Sequence, residues 1–382
     1  MINNLGFTDE QLLIGGYVIK TTLDKDAQQA AVDAVDKQAP AKAPENLHIG
    51  LVAIRPGTGE ILAMYGGKDY LKYQFNAATQ GITSAGSSFK PFALIAALEQ
   101  GVPLTSIWNG DSPKVYDDGL GRPYEVNNYG DEKWGDISLL NATIHSVNTV
   151  YVPLGMKVGL DKVVDVARRA GIPENVEMVA APSVSLGVAS PHVIDLAASY
   201  ATFAAQGIYA KPFIISEVKG ANKGILYQGK IQAQEVFNKD VMADLTYALQ
   251  QVTISGTGAV VRGIMPNRPA AGKTGTSNDN ASAWFNGYTP QMAASVSFYR
   301  DDATQSLNGI GGLTSVTGGS FPARIWATFA ATYLKNQPVA DFPSPVNIGG
   351  TAPVDLRNSV PTLPLDSVLN TPSPKPSKTK NR

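Results

Sequence analysis

The chain has 382 residues, a formal net charge of −1 and a hydrophobic content of 43%. This composition is typical of a globular protein with a substantial core, and the near-zero charge argues against nucleic acid or an anionic membrane surface as a partner. The absence of cysteine excludes thiol catalysis, thiolate metal sites and disulfides. The sequence has no run of 18 apolar residues that would predict a membrane-spanning helix, and no signal peptide opens it.

Helices are predicted where apolar residues recur at helical spacing after a capping residue. Such segments lie at 24–37, 87–98, from 136 to about 146, 161–170, 190–207, 238–251 and 320–333. Strands are predicted at 14–22, 48–54, 60–65, 270–276, 283–289 and 292–300. Helices between two groups of hairpin strands predict an α+β domain in which helices cover an antiparallel sheet.

Composition also predicts three regions along the chain. Residues 1–45 lead into the domain and end in a Pro-rich break, and residues 46–336 form the domain itself. Within it, residues 101–135 lack periodicity and are expected to be irregular. Residues 337–382 are rich in Pro, Ser, Thr and Asn, which predicts a flexible tail.

The apolar helix predicted from Ser87 carries the first candidate for chemistry. On a helix, Ser87 and Lys90 lie on one face with Cβ atoms about 5–6 Å apart. A hydroxyl needs a base before it can attack a carbonyl, and a lysine can be that base if burial destabilises its ammonium. Gly86 permits a tight turn into the helix. Ser-x-x-Lys is nevertheless a weak pattern, since it recurs at Ser216 and Ser377 without an apolar helix behind it.

Two further short patterns follow along the chain, Ser146-x-Asn148 and Lys273-Thr274-Gly275. The first is weak alone, whereas Lys-[Ser/Thr]-Gly occurs once and lies in a predicted strand. A strand edge beside a helix start can bind an extended peptide by main-chain pairing. The three patterns together predict a peptide-binding acyl-transfer site.

Each group in these patterns has a physical role in acyl transfer. Ser87 is expected to be the nucleophile that forms an acyl-enzyme, and Lys90 to take its proton. The positive charge of Lys273 favours a neutral Lys90 by like-charge repulsion. Ser146 is expected to relay the proton between Lys90 and the leaving or attacking amine.

The remaining groups are predicted to bind the substrate. Asn148 is expected to orient the base and to bind a substrate amide. The hydroxyls of Thr274 and Thr276, with the Lys273 charge, are expected to hold a carboxylate. The backbone N–H groups of Ser87 and Thr276 are the candidate oxyanion hole.

Ser-x-x-Lys, Ser-x-Asn and Lys-Thr-Gly in this order resemble the signature of penicillin-binding proteins and class A β-lactamases. The chain around them is similar to the transpeptidase domain of class A, bifunctional penicillin-binding proteins, and the resemblance covers residues 10–335. The segments that carry it are 15–24, 56–67, 75–80, 86–92, 146–148, 272–276 and 283–287.

The resemblance implies a five-stranded antiparallel sheet with helices on both faces and an all-helical part. It implies a D,D-transpeptidase that cross-links peptidoglycan stem peptides, with a D-Ala-D-Ala donor and an amine acceptor, and that β-lactam antibiotics acylate. It implies no cofactor, no metal and no nucleic acid. It places the protein on the extracytoplasmic face of the bacterial membrane, with the N-terminal anchor and the glycosyltransferase half missing from this chain and residues 1–45 as the joining segment.

Three positions depart from the family pattern. Ala85 stands where the family usually has Pro, and Ser282 where Asp is common. Val147 is found at this position in many penicillin-binding proteins, whereas class A β-lactamases typically have Asp. None of these departures removes a catalytic group.

Two alternatives stay open from the sequence. In a D,D-carboxypeptidase or serine β-lactamase, water attacks the same acyl-enzyme, and a class A β-lactamase needs a glutamate to activate that water. Glu174 and Glu177 lie in a suitable region, but nothing around them resembles the deacylating loop. The other alternative is a non-catalytic β-lactam-binding module.

Three further residues near the motifs have structural interpretations. His145 adjoins the second motif, but with three histidines in the chain no metal cluster is indicated, and we expect His145 to be structural. Tyr129 and Trp134 either line the substrate groove or simply pack.

Overall fold

The structure, a computed structural model that describes residues 6–69, 71–302 and 304–370, is organised around a five-stranded antiparallel sheet. In the described chain, the α-helices are α1 (Asp9–Ile14), α2 (Lys25–Gln38), α3 (Lys90–Glu99), α4 (Leu139–His145), α5 (Asn148–Val158), α6 (Leu160–Ala170), α7 (Val193–Ala204), α8 (Lys239–Ile254), α9 (Val260–Ile264) and α10 (Phe321–Tyr333). The strands of the same residues are β1 (Val18–Thr21), β2 (Leu47–Ile54), β3 (Ile61–Tyr65), β4 (Ile107–Asn109), β5 (Lys114–Asp117), β6 (Pro123–Val126), β7 (Asp136–Ser138), β8 (Ile208–Ala210), β9 (Ile215–Lys219), β10 (Ile225–Gln228), β11 (Ala233–Glu235), β12 (Ala271–Thr276), β13 (Ser282–Thr289) and β14 (Met292–Arg300).

The central sheet has the strand order β12-β13-β14-β2-β3. The hairpin β2–β3 therefore joins the late meander β12–β14, and the helical part of the chain is inserted between β3 and β12. The α+β architecture predicted from the sequence is confirmed, as is the five-stranded antiparallel sheet.

Side chains of the sheet alternate between two cores because successive strand residues point to opposite faces. On β2, Leu51 packs in one core with α2 and α10, whereas Val52 packs in the other core with α3, α7 and α8. On β13, Phe285 and Trp284 divide in the same way. The sheet is thus covered on both faces.

Helix α3 is the centre of the helical part. Its residues from Lys90 to Leu98 are all buried, and it packs against α5, α6 and α8. A helix that is apolar all round belongs in a core, so the charged Lys90 at its start is the exception that needs an explanation.

Several predicted elements have different bounds or neighbours in the structure. Residue 14 ends helix α1, and the strand predicted from it begins only at Val18. The segment predicted as a lead-in contains α2, whose alanine face is buried against the sheet and α10. Ser138 caps α4 in place of the predicted Asp136, which lies in β7.

The region 101–135, predicted to be irregular, contains β4, β5 and β6. Strand β4 pairs with β7, and β5 pairs with β6 as a hairpin. These strands are three or four residues long, too short for alternation to be visible in the sequence.

Residues 337–370, predicted to be flexible, lie along the domain. The buried carboxylate of Asp244 on α8 accepts hydrogen bonds from the backbone N–H groups of residues 346, 347 and 348, at 2.7, 3.0 and 2.7 Å. Further along, Asp355 pairs with Ile107 of β4, and Leu363 pairs with Val115 of β5. These hydrogen bonds use backbone groups, and the apolar residues of the segment that pack on the core, Phe342, Ile348 and Leu356, are too widely spaced to form a periodic pattern. The rest of the predicted tail, 371–382, lies outside the described residues.

In the part of the chain that the structure describes, none of the helices combines the length and the apolar character needed to cross a bilayer.

We expect Asp244→Ala to lower the free energy of unfolding by about 3 kcal/mol, because three backbone N–H groups lose a charged acceptor in a buried position. Urea unfolding of the purified chain measures this cost. Asp244→Asn, which keeps one acceptor oxygen, should lose less. In a chain ending at Pro345, Asp244→Ala should cost much less than in the full chain; an equal cost in both would show that Asp244 does not act through the C-terminal segment.

Candidate active site

Ser87 lies in a 3-10 turn, Gly86–Phe89, that runs directly into α3. Gly86 has φ of 54°, a left-handed conformation that favours glycine. A Cβ on Gly86 would come within 2.5 Å of the carbonyl oxygen and 3.0 Å of the nitrogen of Thr276. The turn that carries Ser87 therefore lies against the backbone of β12, as the sequence predicted for a helix start beside a strand edge.

The residue after Ser87 fixes this contact. Ser88 is fully buried, and its Oγ accepts a hydrogen bond of 2.7 Å from Nδ2 of Asn286 on β13. Its carbonyl accepts a bond from the Tyr200 hydroxyl on α7. A Cβ on Gly275 would overlap the Ser88 hydroxyl, so only glycine fits at this place in β12. Strand, turn and helix are thereby locked together around Ser87.

Lys90 is fully buried, with its amine in a cluster of oxygen acceptors. Its Nζ lies 3.0 Å from Oγ of Ser146 and 2.7 Å from Oδ1 of Asn148, and it also donates to the Ser146 carbonyl. The amine lies 5.4 Å from the centre of the Tyr151 ring. The sequence prediction that the second motif faces Lys90 agrees with this geometry.

Ser146 reaches Lys90 because of its unusual backbone. It caps the C-terminus of α4 with φ of 61° and ψ of 40°, a left-handed conformation that costs a residue with a Cβ about 1–2 kcal/mol. In this conformation both its carbonyl and its hydroxyl face Lys90. Strain of this kind is found where the surrounding structure determines the conformation and a function uses it.

Lys273 approaches the same hydroxyl from β12. It is fully buried, and its Nζ donates to Oγ of Ser146 at 2.8 Å and to the carbonyl of Thr274 at 3.1 Å. Because both amines contact one oxygen, at 3.0 and 2.8 Å, they are less than 6 Å apart. Two charges at this distance repel by about 3 kcal/mol at an effective dielectric constant near 20.

Burial and repulsion together set the protonation of the pair. Burial lowers the pKa of Lys90 well below its usual value, and the Lys273 charge lowers it further. Burial alone lowers the pKa of Lys273 to about 7. The Tyr151 ring favours a cation by about 0.5–2 kcal/mol, less than the several kcal/mol that desolvation costs. As pH rises, Lys90 therefore loses its proton before Lys273, and a single charge remains, on Lys273.

A neutral Lys90 has two N–H groups and one lone pair. The Ser146 carbonyl and Asn148 Oδ1 can only accept, so they take the two N–H groups. The lone pair then faces the Ser146 hydroxyl, whose oxygen in turn accepts from Lys273. In the described residues the Ser87 side chain makes no hydrogen bond, and its hydroxyl is left for a ligand. Hydrogen bonds between a hydroxyl and its base are commonly long in an unliganded site and shorten only when a ligand binds.

Asn148 is held by a residue that the sequence did not indicate. Its Nδ2 donates to the carbonyl of Asn127 at 2.8 Å, just after β6. The neighbouring Asn128 accepts from the backbone N–H and the hydroxyl of Thr149. The region predicted to be irregular thus forms one wall of the site and orients the amide that contacts Lys90.

The two threonines of the third motif have separate partners. Thr274 is buried, and its Oγ1 lies 2.7 Å from Oγ1 of Thr257, between α8 and α9. Thr276 is partly exposed, and its Oγ1 accepts from the backbone N–H of Gly318 at 3.3 Å. Thr257 was missed because it lies in no catalytic pattern, although a Gly-Thr-Gly turn between two helices marks its position.

The aromatic residues predicted near the motifs behave differently from one another. Trp134 stacks on His145 with ring centres 4.4 Å apart, one residue before Ser146. Burial lowers the pKa of His145. Tyr129 is 60% exposed. Trp134 therefore packs beside the site, on a residue expected to be structural.

A serine on a helix-start turn, two buried amines and a strand edge that carries a lysine form an arrangement that can perform acyl transfer on a serine with a lysine as base. The family model described as penicillin binding protein transpeptidase domain matches residues 49–305. The chain belongs to this family of penicillin-binding protein transpeptidases.

The relatives include penicillin-binding protein 1A of Mycolicibacterium smegmatis, which is 33% identical over 382 aligned residues that cover 94% of this chain and 47% of that protein. The chain spans about half the length of the curated relatives it matches. Among solved structures, penicillin-binding protein PonA1 from Mycobacterium tuberculosis superposes with a TM-score of 0.81 at 30% identity, covering 100% of this chain and 97% of that one. Its complex with penicillin V matches with the same TM-score and identity over 92% and 94% of the two chains.

We expect Lys273→Met to raise the pKa of Lys90, because the substitution removes the repelling charge and leaves the burial. The Lys90 value should stay below the usual lysine range for the same reason. Titration of the lysine ¹³Cε resonances by NMR measures both effects, with Lys90→Met used to assign the Lys90 signal. An unchanged Lys90 titration in Lys273→Met would contradict the coupling between the two amines.

Proposed function

We propose that this chain is a D,D-transpeptidase that cross-links peptidoglycan stem peptides through an acyl-enzyme on Ser87. The observation that carries the proposal is the single hydrogen-bonded cluster of Lys90, Ser146 and Lys273 at the base of the Ser87 turn. The donor is a stem peptide ending in D-Ala-D-Ala, and the acceptor is the amine of a second stem peptide. Penicillin and other β-lactams acylate the same serine.

In the first half-reaction, the Ser87 hydroxyl attacks the carbonyl of the penultimate D-Ala and passes its proton to the lone pair of Lys90. In the free site this lone pair faces the Ser146 hydroxyl, and during the attack it accepts the proton of Ser87. Ser146 gives a proton to the departing D-Ala amine and is reprotonated from Lys90. The bond to the terminal D-Ala breaks, and an ester to Ser87 remains. In the second half-reaction the acceptor amine attacks this ester, and its proton returns along the same path.

Charge in the substrate and in the transition state is held by β12. Lys273, Thr274 and Thr276 bind the terminal carboxylate, and the close approach of Gly86 to Thr276 supports an oxyanion hole formed by the N–H groups of Ser87 and Thr276. Asn148 keeps Lys90 oriented and offers its second amide hydrogen to the substrate. Removing one oxyanion donor typically costs about 10²–10³ in rate.

Hydrolysis of the acyl-enzyme is the alternative, and the glutamates that it would need are placed unfavourably. The Glu174 side chain is 90% exposed and pairs with Arg168 at 3.4 Å, and Glu177 is exposed. Neither has a hydrogen bond to Ser87, Lys90 or Ser146 in the described chain. This supports an acyl-enzyme that reacts with an amine rather than one that is rapidly hydrolysed.

The proposed substrate also determines where in the cell the reaction takes place. Peptidoglycan is assembled outside the bacterial cell membrane, so we place this domain on its extracytoplasmic face, as part of a protein with a membrane anchor. The length of the curated relatives, about twice that of this chain, is compatible with such a longer protein.

Ser87→Ala should abolish covalent labelling by a fluorescent penicillin, because the acyl bond forms on the Ser87 oxygen. Intact mass and peptide mapping of the wild-type protein should place one adduct on Ser87. Ser88→Ala is the matched control and should still be labelled, since the Ser88 hydroxyl is fully buried and bonded to Asn286, where a ligand does not reach it. Labelling that persists in Ser87→Ala would exclude Ser87 as the nucleophile, and rapid loss of the wild-type adduct in buffer would identify a hydrolase instead of a transpeptidase.

The second-order rate constant for acylation by benzylpenicillin should fall as pH rises through about 7. The reason is that burial lowers the pKa of Lys273 to about 7, so the free enzyme loses the charge that binds the ligand carboxylate. Stopped-flow or quenched-label kinetics from pH 5 to pH 9 measure the profile. The methyl ester of benzylpenicillin, which has no carboxylate, should show no fall in this range. The same fall for both ligands would contradict the role of the Lys273 charge.

A further inference from the structure

Thr257 contacts the third motif but belongs to none of the motifs. It lies in the turn between α8 and α9 and is exposed, and its Oγ1 is 2.7 Å from Oγ1 of the buried Thr274. A residue at the surface is therefore joined through its hydroxyl to the hydroxyl of the third motif. A hydrogen bond at this distance is a well-formed contact between two hydroxyl groups.

Two other parts of the site hold the Thr257 turn in place. The backbone N–H of Thr257 donates to the carbonyl of Ile144 at 3.2 Å, two residues before Ser146. On the other side, a Cβ on Gly319 would overlap the Thr257 carbonyl. The adjacent Gly318 is the donor to Thr276 Oγ1. Thr257 thus lies between the second motif and the loop that contacts the third.

The hydrogens of these hydroxyls can be counted. One hydrogen lies between Thr257 and Thr274, and the second hydroxyl of the pair keeps its hydrogen free to donate. Thr276 Oγ1 already accepts from Gly318, so its own hydrogen is also free. The ammonium of Lys273 is on the same strand and is bonded to the Thr274 backbone carbonyl. Two free O–H donors beside one cation match the two oxygens of a carboxylate.

We propose that Thr257 is a third threonine of the carboxylate subsite, and that it sets the direction in which the Thr274 hydroxyl donates to the terminal carboxylate of the ligand. This proposal rests on the proposed function, since it concerns the carboxylate of a stem peptide or a β-lactam. Thr257 is a positioning residue, and it acts on affinity for carboxylate-bearing ligands rather than on the acyl-transfer chemistry.

Without the Thr257 hydroxyl, the Thr274 hydroxyl loses its partner in a nearly buried position and rotates freely. The carboxylate then meets a donor that is no longer oriented, and one hydrogen bond to a charged group weakens. A loss of about tenfold is the size expected for such a bond. The loss should be confined to ligands that bear the carboxylate.

The experiment measures acylation of the full chain by benzylpenicillin and by its methyl ester, with wild type and three variants. Thr257→Val keeps the shape and removes the hydroxyl, and we expect it to be acylated about tenfold more slowly by the acid, through weaker binding, and within twofold of wild type by the ester. Thr257→Ser keeps the hydroxyl and should recover the acid rate to within about threefold. Ser255→Ala, in the same turn, removes an exposed hydroxyl whose bond goes to Gln251 and should leave both rates unchanged.

Several results would overturn the proposal. These are a wild-type rate with the acid in Thr257→Val, an equal loss with acid and ester, and no recovery in Thr257→Ser. Melting temperatures of the variants separate a folding defect from a binding defect, and the Ser variant tests the proposal if the Val variant folds poorly. Adduct formation on Ser87 of the wild-type chain tests the proposed function separately. If the wild type is acylated on Ser87 but Thr257→Val reacts with acid and ester as the wild type does, the role of Thr257 is refuted and the proposed function is not.

Discussion

The oxygen of Ser146, which both buried amines contact, is the point on which the rest of the site depends. Two ammonium groups this close in a buried site repel each other and lack water, so only one of them keeps its charge readily. The site divides the two roles by position. Burial and the Lys273 charge favour the neutral form of Lys90, on the helix that follows Ser87. Burial lowers the pKa of Lys273, on the strand edge, to about 7 and leaves this amine charged below that pH.

This division requires three separate elements to meet within hydrogen-bond distance, and glycines on opposing backbones allow it. Gly86 lets the Ser87 turn approach Thr276, and Gly275 leaves room for the Ser88 hydroxyl. Ser146, in a left-handed conformation at the end of α4, is the third element and brings its hydroxyl to both amines. A Cβ on Gly86 would lie 2.5 Å from the Thr276 carbonyl oxygen, and one on Gly275 would overlap Ser88 Oγ, so the strand and the turn would have to move apart. The electrostatics of the lysines therefore rest on the close packing of the backbone.

Whether an element can be predicted from the sequence depends on whether it is stabilised by neighbouring residues or by residues distant in the chain. Helix α2 was predicted with its cap because Asp24 itself accepts the first N–H groups of the helix. Asp136 was misassigned as a cap because pairing with β4 places it in a strand, and pairing between distant segments overrides local propensity. The C-terminal segment was predicted to be flexible for the same reason, since its bonds go to Asp244, β4 and β5, far away in the chain.

The residues of the candidate site also fall into two groups, those that a sequence pattern predicts and those that only the folded structure reveals. Ser87, Lys90, Ser146, Asn148 and Lys273 were found because their order and spacing form a pattern. The structure joins the last four by hydrogen bonds and places Ser87 in the turn that leads into Lys90. Asn127, Asn286 and Thr257 act through single contacts made by packing, and a single contact leaves no spacing to read. Their partners are Asn148, Ser88 and Thr274, so each contact holds a group that lies within or beside a motif. A motif therefore indicates the reaction that a site can perform, whereas the contacts that hold its side chains in place come from residues that the motif does not contain.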